Sequence, residues 1–174
     1  QMGSPSQELY RFAISEPLHW ARIEHSFSLS SKEVTVSQFQ RFLKANPKIN
    51  HSYPVRYAPE PECPQIAVDW YMATAYCNWL TKEEGLGDDQ LCYFPNSDGS
   101  YAAGMRMASD FSRRVGYRLP IEAEWESACR SGTTTSRYFC QDESLLSQYS
   151  WHLSNSDYTS HSVGELLPNP AGLF

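Results

Sequence analysis

Tyr117-Arg118-Leu119-Pro120-Ile121-Glu122-Ala123-Glu124-Trp125-Glu126-Ser127-Ala128-Cys129-Arg130-Ser131-Gly132 reads as one helix with its own stop. The spacing predicts a helix from about Pro120 to Ser131, with Trp125, Ala128 and Cys129 inward and Glu122 and Glu126 outward. Gly132 closes it, because glycine takes the left-handed conformation that ends helices at no steric cost. Glu122, Glu124 and Glu126 look like an acid cluster, yet alternate helical positions point in different directions. Carboxylates in a first turn favour the helix dipole instead, so these three are read as structural.

Upstream, two more helices follow from the same logic. Thr35 and Gln38 form a capping box, Phe39, Phe42 and Leu43 share one face, and Asn46-Pro47 ends the run. Asp69 caps the next helix, whose expected buried stripe is Trp70, Ala73, Cys77 and Leu80, with Gly85 as terminator. Between them, prolines at 47, 54, 59, 61 and 64 mark a long irregular loop threaded with Tyr53 and Tyr57. The loose alternation Trp20, Arg22, Ile23, His25, Phe27, Leu29 predicts short strands in the first thirty residues. Cys92 to Tyr101 reads as a β-hairpin with an Asn/Asp/Gly turn, and Arg137-Tyr138-Phe139 as an aromatic strand. The sum is an α+β domain with much irregular chain, pinned by five Trp and eleven Tyr.

The 174 residues suit one compact domain and are short for two. With 41% apolar, 14% aromatic and 20% charged residues, the chain is neither collagen, coiled coil nor bulk disorder. A net charge of −6 argues against a nucleic-acid partner, which calls for a basic stripe. No run of apolar residues reaches membrane-spanning length, so no membrane partner is expected. Five irregularly spaced cysteines, Cys63, Cys77, Cys92, Cys129 and Cys140, form no C-x-x-C and read as buried free thiols. No signal peptide is visible, and a cytoplasmic location is slightly favoured.

The residues alone carry little chemistry. There is no G-x-S-x-G elbow, phosphate loop, H-E-x-x-H or dinucleotide fingerprint. Histidines at 19, 25, 51, 152 and 161 never fall at helical ligand spacing. Asn96-Ser97-Asp98-Gly99 lacks the spaced carboxylates of a calcium loop and reads as a turn.

Three segments taken together are more specific. Lys32 to Phe42 (KEVTVSQFQRF), Val68 to Leu80 (VDWYMATAYCNWL) and the Tyr117–Gly132 stretch occur in the order and at the distances of one family. They resemble the formylglycine-generating enzyme, or sulfatase-modifying-factor, family. The resemblance runs from Met2-Gly3-Ser4 to Pro168-Asn169-Pro170-Ala171-Gly172-Leu173-Phe174. It implies a loop-rich variant of the C-type-lectin fold, with two to three helices and short strands. Enzymatic members oxidise a cysteine in a Cys-x-Pro-x-Arg segment to formylglycine, using oxygen and a copper ion held by two cysteines. Other members are binding or regulatory modules joined to kinases and other signalling domains, and the stretch from Gly85 to Tyr117 looks like that bacterial multidomain subgroup.

The departures set the functional expectation. The family continues past its G-L-Y/F with a D-x-x-G-N-V/A-W-E-W signature and then its copper-binding cysteines. Against that pattern, residues 1–174 read as a single domain truncated before its C-terminal signature. An exposed apolar surface around Leu173 and Phe174 is then expected. None of the five cysteines sits at the active-site position, so no catalytic or cofactor-binding residue is assigned, and copper is expected only in complete enzymatic relatives. Cys129 matches a position that pairs in a disulfide in some members and is read here as a buried thiol. Ile121 replaces a capping Thr, losing about 0.5–2 kcal/mol, while Pro120 and Glu124 keep the helix. Asn155 aligns with an Asn that helps to hold calcium in some members, which makes it the one metal expectation. The expected function is a non-catalytic binding or regulatory module, or a fragment of a larger protein, whose partners are a protein or peptide ligand or other domains. The alternative is an oxidoreductase making formylglycine with cysteines outside this chain, and a sugar-binding lectin rests on fold analogy alone.

Overall fold

The computed structural model describes residues 2–6, 8, 17–140 and 142–174. The chain divides into two compact units, one of Val34–Leu119 and one of Gln1–Glu33 with Pro120–Phe174.

In the Val34–Leu119 unit, α1 (Val36–Ala45) begins at the expected capping box. Thr35 Oγ1 accepts from the Gln38 amide at 3.2 Å, and Gln38 Oε1 accepts from the Thr35 amide at 3.0 Å. Phe39 and Phe42 are buried and meet Tyr76 of α2 (Trp70–Glu83), Phe39 stacking on it at 5.5 Å. Asp69 caps α2 through the Met72 amide, and Gly85, at φ +76°, follows its end.

The face of α2 differs from the expected stripe. Thr74, Ala75, Tyr76, Cys77, Asn78 and Thr81 are buried, whereas Trp70 is half exposed. Polar residues go inward because each finds a partner. Asn78 Nδ2 donates to the Tyr93 carbonyl at 2.6 Å and the Tyr101 hydroxyl at 2.7 Å. Thr81 Oγ1 donates to the Cys77 carbonyl and accepts from the Tyr117 amide, both at 2.9 Å. A Cβ on Gly116 would collide with the Gln90 carbonyl, so only glycine lets the chain pass there.

The hairpin forms with a shifted partner. Strand β1 (Tyr93–Phe94) pairs antiparallel with β2 (Arg106–Met107), Tyr93 opposite Met107 and Phe94 opposite Arg106. The Asn96–Gly99 turn is present, but it lies inside a longer connection, where Asn96 Oδ1 accepts from the amides of Asp98 and Ser100.

In the other unit, α3 (Glu122–Arg130) ends at Ser131 in the left-handed conformation, followed by Gly132. The helix survives without a polar N-cap. Ile121 supplies no acceptor, but Glu124 Oε2 accepts from the Ile121 amide at 2.9 Å, half of a capping box. The expected inward face is corrected. Glu124 is buried at 1% exposure, while Trp125 stands 58% exposed and Cys129 is exposed. A buried carboxylate needs partners, and Glu124 has His25, whose Nε2 lies 2.6 Å from its Oε1. Cys129 is therefore not a buried thiol.

Strand expectations in this unit are corrected too. Met2 and His19 form an isolated bridge, but residues 20–30 join no strand, and residues 1, 7 and 9–16 lie outside the described residues. Arg137-Tyr138-Phe139 forms turns, with Phe139 stacked at 4.4 Å on Tyr149 of the short α4 (Leu146–Tyr149). Phe174 is 43% exposed beneath the Lys32 ammonium, which lies 5.5 Å from its ring centroid, while Leu173 is half-buried.

Two substitutions test this packing. Phe42→Ala should cost about 3–5 kcal/mol through a core cavity, and Thr35→Ala about 1 kcal/mol through its lost cap. Urea unfolding midpoints measure both, and equal losses would contradict the assignment of core and cap.

Candidate functional site

A cavity of about 280 Å³ opens beside the hairpin, lined by Phe94, Arg106, Met107, Ala108, Ser109, Asp110 and Arg114. The β1–β2 pairing brings Phe94 next to Arg106, and the turn of Phe111–Arg113 carries the chain round to Arg114. Arg114 Nε donates to Asp110 Oδ1 at 2.8 Å, and its guanidinium lies 5.4 Å from the centroid of the Phe94 ring. That hydrogen bond holds the Asp110 carboxyl below its ordinary range. Asp110 thus neutralises Arg114, while Arg106 forms no ion pair among the described residues. The pocket thus sets a guanidinium with no ion-pair partner among the described residues beside Phe94 and Met107, an arrangement that suits holding an acidic or polar group. Among the described residues, no hydrogen bond joins the Ser109 hydroxyl of its lining to the Asp110 carboxylate.

Behind the hairpin lies a cluster of Cys77, Cys92 and Tyr93. Burial pushes the Cys77 thiol up to about 12, with Cys92 adding to the effect. Burial also raises Cys92, although Arg118 and Arg114 oppose it. Tyr93 rises to about 12 for the same first reason, and its hydroxyl accepts from the Leu119 amide at 3.0 Å. These thiols stay protonated at neutral pH and, buried as they are, face no solvent, so neither is poised as a nucleophile. Of the other cysteines, Cys63 is buried, and Cys140 is half-buried, its sulfur accepting from the Asp142 amide at 3.1 Å.

Asn155 is committed to its own loop. Its Oδ1 accepts from the His152 amide at 2.7 Å, and its Nδ2 donates to the Ser150 carbonyl at 3.2 Å. Among the described residues, no three His, Cys, Asp or Glu side chains gather as a metal site. Glu124 and Glu126 of α3 turn to different partners, as their spacing implies. Glu124 takes His25, while Glu126 Oε1 accepts from the Gly3 amide at 2.8 Å and from Arg130 Nε at 2.7 Å.

The pocket residues Arg106, Asp110 and Arg114 escaped the sequence reading. The run RMASDFSRR carries three arginines around one aspartate, but only the shifted strand pairing sets Phe94 beside Arg106.

Residues 1–174 match the family described as "Sulfatase-modifying factor enzyme 1-like domain". A serine/threonine-protein kinase pkn1 of Chlamydia pneumoniae is 26% identical over 176 residues, covering 91% of this chain and 22% of that protein. A formylglycine-generating enzyme of Streptomyces coelicolor is 28% identical over 153 residues, covering 82% of this chain and 48% of that protein. Among solved structures, Treponema denticola variable protein 1 aligns with a TM-score of 0.70 at 28% identity, over all of this chain and 65% of that one. PvdO from Pseudomonas aeruginosa aligns at 0.70 with 24% identity, over 99% and 61%, a likeness of fold. The expected variant of the C-type-lectin fold is thereby met. The chain spans less than half of these two curated relatives and under two thirds of each of these solved chains.

The thiol cluster makes two measurable statements. At pH 7.5 iodoacetamide should label Cys129 in the folded chain and leave Cys77 and Cys92 untouched until urea is added, as read by mass spectrometry. Cys77 and Tyr93 ionise near 9 and 10 when ordinary but near 12 here, so their contribution to stability is full below about pH 9 and is lost as pH rises towards 12. Cys77→Ala should flatten that slope in unfolding experiments between these limits.

Proposed function

The chain belongs to the sulfatase-modifying factor enzyme 1-like domain family, and from that membership we propose that it works as a single binding or regulatory module without oxidase chemistry of its own. The observation that carries this reading is the state of Cys77 and Cys92. They share one cluster, and both are buried, so neither a substrate cysteine nor solvent reaches them. A copper–thiolate centre needs two deprotonated sulfurs together. This pair does not fit such a centre, and no step through copper is derived.

Two further features favour binding. The pocket lined by Arg106, Phe94 and Met107 brings a guanidinium beside apolar side chains, suited to an acidic side chain of a peptide or protein. The likeness to a chlamydial serine/threonine-protein kinase, of which the match is about a fifth, supports a role beside signalling domains.

The second reading, formation of formylglycine, rests on the likeness to the Streptomyces coelicolor enzyme. One experiment separates the two. The chain is incubated with a Cys-x-Pro-x-Arg peptide, Cu(I) and oxygen, and the peptide is weighed by mass spectrometry. An unchanged cysteine is expected, and any protein-dependent aldehyde overturns the binding-module reading in favour of the oxidase.

A further inference from the structure

Between Met105 and Arg118 the chain carries four arginines and a single carboxylate, Asp110, in a protein of net charge −6. Arg106, Arg114 and Asp110 all line the cavity beside the hairpin. Arg114 is committed within it. Its Nε donates to Asp110 Oδ1 at 2.8 Å, and its guanidinium also donates to the Leu91 carbonyl and lies against the Phe94 ring. That hydrogen bond holds the Asp110 carboxyl below its ordinary range, so Asp110 stays ionised at neutral pH. Arg106 is exposed and has no ion-pair partner among the described residues, which leaves the lining with one net positive charge. The volume of about 280 Å³ lies below the roughly 300–1,000 Å³ of pockets for drug-sized ligands, so it suits one side chain of a partner.

Resting on the binding-module reading, we propose that this pocket takes the carboxylate of a glutamate or aspartate on a partner peptide, and that Asp110 is the residue that turns phosphorylated side chains away. A carboxylate brings one negative charge and two oxygens, the complement of one guanidinium fork. With it in place, the charges of Arg106, Arg114, Asp110 and the ligand cancel. A phosphoserine carries about −1.5 to −2 at pH 7. Its surplus charge meets Asp110, and Arg114 cannot offset that repulsion while it is paired with the same carboxylate. Arg113 is exposed and outside the lining, so solvent and salt screen its help. The Ser109 hydroxyl can donate to an oxygen of either ligand and does not discriminate. Met107, 45% exposed in the lining, offers apolar contact to a residue beside the acidic one.

Titration of the isotope-labelled full chain with three short peptides, followed by NMR, tests this. The probes are acetyl-Ala-Glu-Phe-Ala-amide and its counterparts with glutamine or phosphoserine in place of the glutamate. The glutamate peptide should shift the amides of Arg106, Met107 and Ser109 in a saturable way. The glutamine peptide should not, and the phosphoserine peptide should bind more weakly than the glutamate one. Arg106→Gln should remove the shifts. Asp110→Asn should raise the affinity for the phosphoserine peptide relative to the glutamate peptide about fivefold. Both substituted side chains are exposed, so circular dichroism should match that of the parent chain. No shift with the glutamate peptide, a phosphoserine peptide that binds as tightly, or a ratio that Asp110→Asn leaves unchanged would each overturn the proposal. None of these outcomes changes the aldehyde assay, which decides separately between binding module and oxidase.

Discussion

A folded chain with little sheet must still give every buried N–H and C=O a partner, and that constraint shapes both units. The named strands are two residues long each, so ladders do little of this work. Buried polar side chains take their place. Asn78 and Thr81 bind backbone on the hairpin and at Tyr117 from the inner face of α2. In the other unit, Asn169 does the same. Its Oδ1 accepts from the amides of Ala171 and Leu173, and its Nδ2 donates to the carbonyls of Ala128 and Cys129. Removing such a group leaves several backbone atoms dry and unpaired at once, a larger cost than one hydrogen bond.

Glu124 is the charged version of this arrangement. It replaces part of the missing N-cap and takes His25 as its counter-group, which is how a carboxylate can sit at 1% exposure. Its burial turns α3 so that Trp125 and Cys129 face outward. The apolar core of the Val34–Leu119 unit is simpler, with Phe39, Phe42 and Tyr76 stacked between two capped helices. The pocket at Arg106 depends on that core indirectly, since Asn78 anchors β1 at Tyr93 and β1 sets the place of β2.

Signals that act over one helical turn were legible in the sequence. The Thr35–Gln38 box, the Asp69 cap, Gly85 and Gly132 are all where their local chemistry puts them. Signals that depend on distant partners were not. The expected stripe of α2 omits Thr74 and Asn78, and Glu124 reads only as a first-turn carboxylate, because nothing local announces a His25 or a Tyr93 carbonyl. The Cys92–Tyr101 alternation gave a hairpin at the right start and the wrong return strand, since Asn96 builds a turn that the chain continues past. The candidate pocket was hidden for the same reason, its arginines being set beside Phe94 only by that pairing.

The sequence by itself determined the family, the helix ends and the loop-rich character, because caps, glycines and aromatic spacing act through neighbours a few residues away. Tertiary structure alone decided which helix faces turn inward, that Cys77 and Cys92 stay protonated while Cys129 meets solvent, and that Arg106 has no counter-charge among the described residues. The physical reason is that burial, desolvation and charge pairing are properties of groups brought together across the fold, and no local pattern encodes their distances.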